Sequence, residues 1–230
     1  MQPGDIISYL EMCNREGVSL QRGMNFRLGG DMSVILMSVR AGAPYSDRVE
    51  DGGGTLIYEG HDVPSSRGGP DPKTMDQPMR SDSGSLTQNG LFYEAAKAHR
   101  QNGADPELVR VYEKIKQGIW VYNGIFRLVG ATRESEGGRK VFKFRLELTD
   151  FADTARPSVE VDLKHERMIP SWVKVAVWKR DKGCCIKCGA TDNLHFDHDL
   201  PFSKGGTSLL PENVRLLCAR HNLQKSNRIE

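Results

Sequence analysis

Three stretches decide the fold of the C-terminal end of the chain: CCIKCG (184–189), HFDHDLPFSKGGT (195–207) and ENVRLLCARHNLQKSN (212–227). They contain two pairs of soft metal ligands, Cys185 with Cys188 and Cys218 with His221. Three thiolates and one imidazole favour a closed tetrahedral site for a structural zinc ion. We therefore predict that Zn²⁺ stabilises a segment too short to fold around a hydrophobic core alone.

Two other interpretations of these cysteines stay open. The metal site can use Cys184 in place of Cys185, or the cysteines can be small buried apolar residues without a metal. We interpret Cys184 as a bystander, because it stands one position too early for a turn that ends at Gly189. Five cysteines, most of them clustered near one end, argue against a disulfide framework.

The dipeptide Asp197-His198 lies between the two ligand pairs. This combination suits hydrolysis of a phosphodiester. The carboxylate can hold a divalent cation such as Mg²⁺ or Mn²⁺, and a neutral imidazole can take a proton from water. The surrounding pattern predicts a helix at about 171–181, a strand that ends near this dipeptide, a strand at 214–217 and a helix from about Ala219.

Charge and hydropathy exclude few classes of protein. The net charge is +2, and residues 161–230 hold 12 Lys and Arg against 8 Asp and Glu. Basic residues there are candidates for phosphate contacts or plain solvated side chains: Arg180, Lys204, Arg215, Lys225 and Arg228. The sequence has no apolar run long enough to predict a membrane-spanning helix, and residues 1–10 do not resemble a signal peptide. We therefore expect a cytoplasmic protein without a membrane partner.

Residues 1–150 have a mainly β pattern. Strands are predicted at 33–39, 55–58, 119–122, 125–130 and 141–148, and helices at 5–16 and 89–101. Asn123-Gly124 is a strong hairpin signal between two of these strands. Residues 60–90 are rich in Gly, Pro, Ser and Asp and predict a long loop. The polar stretch 149–170 is typical of a linker, which places a domain boundary near residue 160.

Residues 171–228 resemble the HNH endonuclease family of the ββα-metal superfamily, through RDKGCCIKCG, LHFDHDLPFSKGG and ENVRLLCARHNLQKS. The resemblance implies a DNA endonuclease. His221 stands where many members carry a zinc-binding cysteine, and an imidazole is an acceptable substitute. The residues at the family's catalytic positions are Asp197 (metal ligand), His198 (general base), Asn213 (loop and base positioning) and Asn222 (help in holding the metal).

Residues 17–148 resemble the SRA (SET- and RING-associated) domain. The shared order includes GVSLQRGMNFRLGG, SVILMSVRAGAPYSDRVEDGG, TLIYEGHD, GLFYEAAKAH, VYNGIFRLVGATRE and VFKFRLEL. The resemblance implies binding of duplex DNA that carries 5-methylcytosine or 5-hydroxymethylcytosine, with the modified base flipped out of the helix. It also implies that Tyr45 and Tyr58 stack on that base. Ordinary strand packing is the alternative role for both tyrosines.

The resemblance leaves the acceptor for the cytosine amino group open, because Arg48 falls on the family's acidic position. We favour Asp47, followed by Asp51, and expect the backbone around Glu59 and Gly60 to read the remaining base edge. The loop 61–80 is expected to be disordered in the free protein. Its basic residues would enter the gap left by the flipped nucleotide: Arg67, Lys73 and Arg80.

These expectations together describe an α+β protein of two domains. Residues 1–150 would form an SRA-like twisted β-barrel with flanking helices, 151–168 a linker, and 169–230 a ββα-metal domain with zinc. The expected function is a modification-dependent restriction endonuclease that acts as a homodimer on DNA with modified cytosine. The alternatives are a methylated-DNA-binding protein with a non-catalytic clamp, and a nicking or repair nuclease that ignores the modification.

Overall fold

The computed structural model describes residues 1–39, 42–149, 168–200 and 206–225. We call 1–149 the N-terminal part and 168–225 the C-terminal part. The N-terminal elements are β1 Ile6–Ser8, α1 Tyr9–Glu16, β2 Met24–Asn25, β3 Ser33–Met37, β4 Arg48–Glu50, β5 Thr55–Glu59, α2 Gln88–Asn102, β6 Glu107–Lys116, β7 Ile119–Glu136 and β8 Arg139–Leu148. The C-terminal elements are α3 Ser171–Arg180, β9 Leu194–His198, β10 Val214–Cys218 and α4 Ala219–Lys225.

The N-terminal strands form one sheet in the order β2-β3-β6-β7-β8-β5-β4, and β1 adds to β7. The β3–β6 pair is parallel and the other pairs are antiparallel. The chain therefore combines helices with a mainly antiparallel sheet, in agreement with the predicted α+β class. Within the described ranges no ladder joins β2 to β4, so the structure does not show the closed barrel that we expected.

The main core lies between this sheet and α2. The strand predicted at 141–148 is present as part of β8, where Phe142, Phe144 and Leu146 are fully buried. They pack with Phe92 of α2, whose ring lies 5.9 Å from that of Phe144, centroid to centroid. Burial of several aromatic rings supplies a large share of the hydrophobic stabilisation of this part.

The hairpin predicted at Asn123-Gly124 is wrong. Strand β7 runs unbroken from Ile119 to Glu136, and its chain reversal into β8 lies at Gly137-Gly138. The register against β6 shifts at this dipeptide, which makes Asn123 the extra residue of a β-bulge. Gly124 takes a φ of +107°, a value that side chains disfavour. A bulge and a hairpin ask for the same local residue types, so the sequence signal was ambiguous.

The helix predicted over 5–16 is only partly correct. Residues 6–8 pair with β7 as strand β1, and the helix begins at Tyr9. Ser8 caps the helix: its hydroxyl accepts from the Glu11 N–H while the Glu11 carboxylate accepts from the Ser8 N–H. The capping box therefore sets the helix start and frees three residues to extend the sheet.

The C-terminal part has the predicted order of helix, strand, strand and helix. Strands β9 and β10 pair antiparallel, with Asp197 opposite Arg215 and His198 opposite Val214. Helix α3 packs on β10, and α4 packs on both strands. Most of the predicted linker 151–168, with the boundary near 160, lies outside the described residues. Met168 is its described end, and this side chain packs into the main core.

Candidate functional site

The two predicted ligand pairs come together in the C-terminal part. The ligand atoms of Cys185, Cys188, Cys218 and His221 all lie within 4.8 Å of one another. The Cys188 and Cys218 sulfurs are 3.8 Å apart, and His221 Nδ1 lies 3.4 Å from the sulfur of Cys185 and 3.3 Å from that of Cys218. A tetrahedral zinc with bonds of about 2.3 Å separates its sulfurs by about 3.8 Å. The cluster therefore has dimensions that can hold one metal ion.

The turn around the first pair explains the choice of Cys185 over Cys184. The Cys185 carbonyl accepts from Gly189, which has a φ of +73°. Burial would raise the pKa of Cys185, but backbone N–H groups around its sulfur outweigh burial and lower that pKa to about 6. Cys184 instead points its thiol to the Lys182 carbonyl, outside the cluster. The bystander interpretation of Cys184 agrees with this geometry.

Asp197 and His198 stand at the end of β9, as predicted. His198 Nε2 lies 2.9 Å from the hydroxyl of Ser208, a buried residue, so this contact fixes the orientation of the imidazole. Burial lowers the pKa of His198, and the Lys225 ammonium adds to that effect while Asp197 opposes it. The imidazole is therefore neutral near pH 7, the form that accepts a proton.

Asn213 ties the segment after β9 to the residues before β10. Its side-chain oxygen accepts from the Leu200 N–H, and its amide donates to the carbonyls of Leu200 and Thr207 at 3.0 and 2.9 Å. This geometry agrees with the positioning role that the resemblance implied. Residues 201–205, which include the basic candidate Lys204, lie outside the described residues.

Lys225 is neither a solvated side chain nor an exposed candidate for a phosphate contact, the two roles that we considered for it. It is 1% exposed, and its ammonium lies 2.5 Å from Asp197 Oδ2 and donates to the His198 carbonyl. Asn222 is half-buried three positions earlier on the same helix, α4. Asp197 and Asn222 each carry an oxygen donor of the kind that Mg²⁺ or Mn²⁺ prefers, and the Lys225 ammonium already pairs with one Asp197 oxygen.

A second site lies in the N-terminal part, as a cavity of about 660 Å³ beside the main core. Its lining includes Tyr45, Asp47, Tyr58 and His61. Tyr45 is half-buried, whereas Tyr58 is 1% exposed. A flat ligand therefore meets Tyr45 before Tyr58, and stacking on either ring requires a neighbouring side chain to move.

Asp47 is the acidic residue that the structure places in this cavity. Its carboxylate accepts from the backbone N–H of Glu59 at 3.0 Å and from that of Ser38 at 3.3 Å. Burial raises the pKa of Asp47 to about 7; these two hydrogen bonds oppose the rise and the Glu59 charge adds to it. A carboxyl group that titrates near neutral pH can exchange hydrogen bonds with a polar ligand.

His61 belongs to this cavity, although the sequence patterns did not point to it. Its ring stacks on Tyr45 with centroids 5.6 Å apart, and its Nε2 lies 3.2 Å from the Tyr58 hydroxyl. Burial lowers the pKa of His61 to about 4, and the charge of Arg22 adds to that shift. Asn89 holds the backbone of His61 through both its N–H and its carbonyl. The one sequence signal that could have identified His61 is its place in the chain, directly after the strand that carries Tyr58.

Two predicted binding positions do not reach the cavity. Asp51 bonds to the Thr55 hydroxyl and to Arg145 instead, and its side chain is 64% exposed. The Glu59 N–H already donates to Asp47, and the Gly60 N–H donates to the Phe142 carbonyl. These two N–H groups therefore cannot read a base edge without breaking existing bonds. The Glu59 carboxylate is buried and pairs with two cations, Arg139 and Lys143.

Side-chain contacts join the loop 61–80 to the rest of the N-terminal part, and its disorder in the free protein stays a prediction. Lys73 forms an ion pair with Asp62 at 2.8 Å, and its ammonium lies 4.2 Å from the centre of the Tyr45 ring. Gln77 is fully buried and bonds to Gly60 and Phe142. Arg67 is exposed, and Arg80 donates to the Gly84 carbonyl.

The comparison with protein families finds a match at the C-terminal end of the chain. Residues 184–228 match the family model of the HNH endonucleases. This HNH segment contains the metal cluster, Asp197, His198 and Asn222. It thus covers the candidate nuclease site and only a minor share of the whole chain. No curated protein matches the sequence, and none of the described helices is long and apolar enough to cross a membrane.

Several solved structures are similar to this chain at low sequence identity. A SUVH5 SRA domain in complex with fully methylated CG DNA is 24% identical over 65% of this chain and 90% of that chain, with a TM-score of 0.44. The modification-dependent restriction endonuclease TagI is 19% identical over 98% of this chain and 78% of that chain, at a TM-score of 0.41. The type IV phosphorothioation-dependent restriction endonuclease ScoMcrA is 14% identical over 99% of this chain and 55% of that chain, with a TM-score of 0.44.

Proposed function

We propose that this protein is a modification-dependent DNA endonuclease, which flips a modified cytosine into its N-terminal cavity and cuts with its HNH segment. The observation that carries the proposal is the pair Asp197-His198, placed at the end of β9 within the segment that matches the HNH family. The cavity with Tyr45 and Asp47 supports a base-reading role. Residues 1–150 and 169–230 would be the two functional domains.

In the nuclease site each residue has a separate task. Asp197, with Asn222, would hold a divalent cation, which when bound offsets negative charge on the phosphate and the leaving oxygen. Ser208 fixes the imidazole through Nε2, so we assign Nδ1 of His198 as the acceptor of the proton from the attacking water. Asn213 keeps the segment after β9 in place for this transfer.

The metal cluster of the HNH segment would hold zinc in a purely structural role. Four protein ligands fill a tetrahedral coordination sphere, which leaves no position for a substrate. A closed site of this kind contributes folding energy to a small domain. The ions of the two sites would thus differ in chemistry, with thiolates for zinc and oxygen ligands for Mg²⁺ or Mn²⁺.

In the cavity a flipped cytosine needs an aromatic face and partners for its polar edge. Tyr45 offers the face, and the Asp47 carboxylate can accept from the exocyclic amino group. Tyr58 forms a wall of the cavity, and His61 lies between the two tyrosines. Lys73 and Arg67 belong to the loop that would fill the vacated place in the duplex. Cutting of both strands requires two nuclease sites, so the active form would be a homodimer.

The test is digestion of one plasmid in unmodified, 5-methylcytosine and 5-hydroxymethylcytosine forms, with and without divalent metal. His198→Ala serves as the inactive control. We expect metal-dependent cutting of a modified form and no cutting of the unmodified form. Binding without cutting would favour a methylated-DNA-binding protein. Equal cutting of all forms would favour a nicking or repair nuclease, and either result would overturn the proposal.

A further inference from the structure

The N-terminal and C-terminal parts share one hydrophobic cluster, which we call the junction. From the N-terminal part it contains Ile115 and Val121, both buried. From the C-terminal part it contains buried residues of α3, β9 and β10, with Ile169 ahead of α3: Ile169, Val173, Val177, Phe196, Val214 and Leu216. A continuous core of this kind resists relative motion, because sliding would expose apolar surface and open voids.

A buried polar network crosses the junction. The Lys174 ammonium, on α3, donates to Glu113 Oε2 and to Asn123 Oδ1, both at 2.6 Å. The Asn123 amide donates to the same Glu113 oxygen at 3.1 Å. All three residues are 1% exposed. Asn123 is the extra residue of the bulge in β7, so the bulge turns its side chain toward this network.

The network reaches both candidate sites. The Asn123 amide also lies 3.7 Å from the sulfur of Met37, which lines the N-terminal cavity, as does Lys114 next to Glu113. On the other side, Arg180 at the end of α3 donates to the carbonyl of Val214, the residue paired with His198. One rigid helix thus connects the cavity wall to the nuclease strands.

A second tie joins the start of the chain to β9. Gly4 donates to the Tyr122 carbonyl on β7 and accepts from the Phe196 N–H on β9. The Asp5 carboxylate lies 2.6 Å from Nδ1 of His195. A side chain at Gly4 would place its Cβ only 2.7 Å from the Phe196 carbonyl oxygen. The strand that ends in Asp197-His198 is therefore anchored directly on the base-reading part.

We propose that Lys174, Glu113, Asn123 and Asp5 are positioning residues, which hold the HNH segment at one fixed place relative to the modified base. The enzyme would then cut at a set distance from that base. This inference rests on the proposed function. A buried ion pair adds little net stability, and its best-attested benefit is a unique arrangement of the parts that it joins.

The test variant is Lys174→Met with Glu113→Gln. The new amide at position 113 can still bond to Asn123 within the N-terminal part, so only the bonds across the junction are lost and no buried charge is left unpaired. The matched control is Arg127→Gln with Glu147→Gln. This pair lies between β7 and β8, is well exposed, and loses the same two charges. A second variant, Asp5→Ala, removes the side-chain contact of the second tie at a less buried position and leaves the Gly4 backbone bonds intact.

The measurement maps cuts at nucleotide resolution on a duplex with a single 5-methylcytosine, under single turnover. We expect wild type and control to cut mainly at one bond per strand. The double variant should bind the duplex as wild type does, spread its cuts over neighbouring bonds, and cut the main bond about 10- to 100-fold more slowly. Asp5→Ala should show a smaller spread and decides the test if the double variant does not fold. Wild-type cut maps in the folded variants would overturn the inference.

Failure of the proposed function gives a different result. If wild type cuts unmodified DNA equally well, modification dependence is lost but the junction can still be tested by thermal unfolding. We then expect one transition for wild type and the control, and two for the double variant, because its parts melt separately. A single transition in every protein would overturn the role of the network.

Discussion

Asp47 and His61 line the same cavity, yet burial shifts their pKa values in opposite directions. Asp47 is raised to about 7 and His61 is lowered to about 4, because each is held in its neutral form. The folded state thus binds more protons at Asp47 than the unfolded state between about pH 4 and 7. It binds fewer at His61 between about pH 4 and 6.5.

These shifts predict opposite slopes of stability with pH. As pH rises through the window, stability should fall on account of Asp47 and rise on account of His61. The wild-type contributions largely cancel. Asp47→Asn should leave the His61 slope, with stability rising by about 2 to 4 kcal/mol from pH 4 to pH 6.5. His61→Gln should leave the Asp47 slope of similar size and opposite sign.

Urea unfolding at intervals across this pH window measures both slopes. Nearby charges contribute to each pKa, namely Glu59 and Lys143 for Asp47, and Arg22 and Asp62 for His61. Because the comparison is between variants with these charges intact, their effects are common to both. Parallel pH curves for the two variants would contradict the assignment of the buried neutral forms.

In the proposed mechanism the cleavage step depends on His198. His198→Ala should lower the cleavage rate by about 100- to 10 000-fold, the usual contribution of a general base, and leave binding of modified DNA unchanged. His99→Ala, on α2, is the control. Cleavage by H198A at the wild-type rate would exclude His198 as the base.

At the scale of elements, the proposed zinc ion would join the turn at 185–189 to the start of α4. Cys188→Ser should lower the melting temperature of the C-terminal part and abolish cleavage, since the cluster loses one of its four ligands. Cys184→Ser should have no effect, because this thiol lies outside the cluster. Elemental analysis should find about one zinc per chain in wild type and C184S, and less in C188S. Folded, metal-free wild-type protein would refute the site.

The sequence predicted best those elements whose signal is local. The strand at 141–148 and the two spaced ligand pairs each depend on a few neighbouring residues, and both are present in the structure. Asn123-Gly124 misled us because its role depends on β6, the strand that runs alongside it. Asp51 misled us for a similar reason, since its carboxylate bonds to Arg145, a residue of β8 that lies 94 positions away.

At the scale of the whole molecule, no sequence pattern predicted the junction. Lys174 meets partners 51 and 61 positions away, and His195 meets one 190 positions away. Such contacts leave no periodic pattern in the chain, and a buried lysine is unusual enough to be read as solvated. We therefore predicted a linker between two domains and did not anticipate their shared core.

The proposed homodimer makes its own prediction. If each chain cuts one strand, an equal mixture of wild type and His198→Ala, exchanged into mixed dimers, should nick modified plasmid and accumulate open circles. Wild type alone at the same total concentration should give linear product. Gel electrophoresis of the plasmid, with sedimentation of the protein, measures both. A mixture that yields linear DNA in proportion to its wild-type content, without added nicks, would argue for a monomer that cuts each strand in turn.

The open sheet described above has an effect on how the protein behaves at high concentration. Its two outer strands are short, with two residues in β2 and three in β4. Arg48 and Glu50 form an ion pair at 2.8 Å along β4, and Arg145 adds a third charge next to Glu50. A strand of another molecule that pairs with β4 can bond to few free peptide groups, and it must also displace water from these charges. Although the sheet has open edges, its short and charged edge strand thus disfavours amyloid-like stacking of one copy on another.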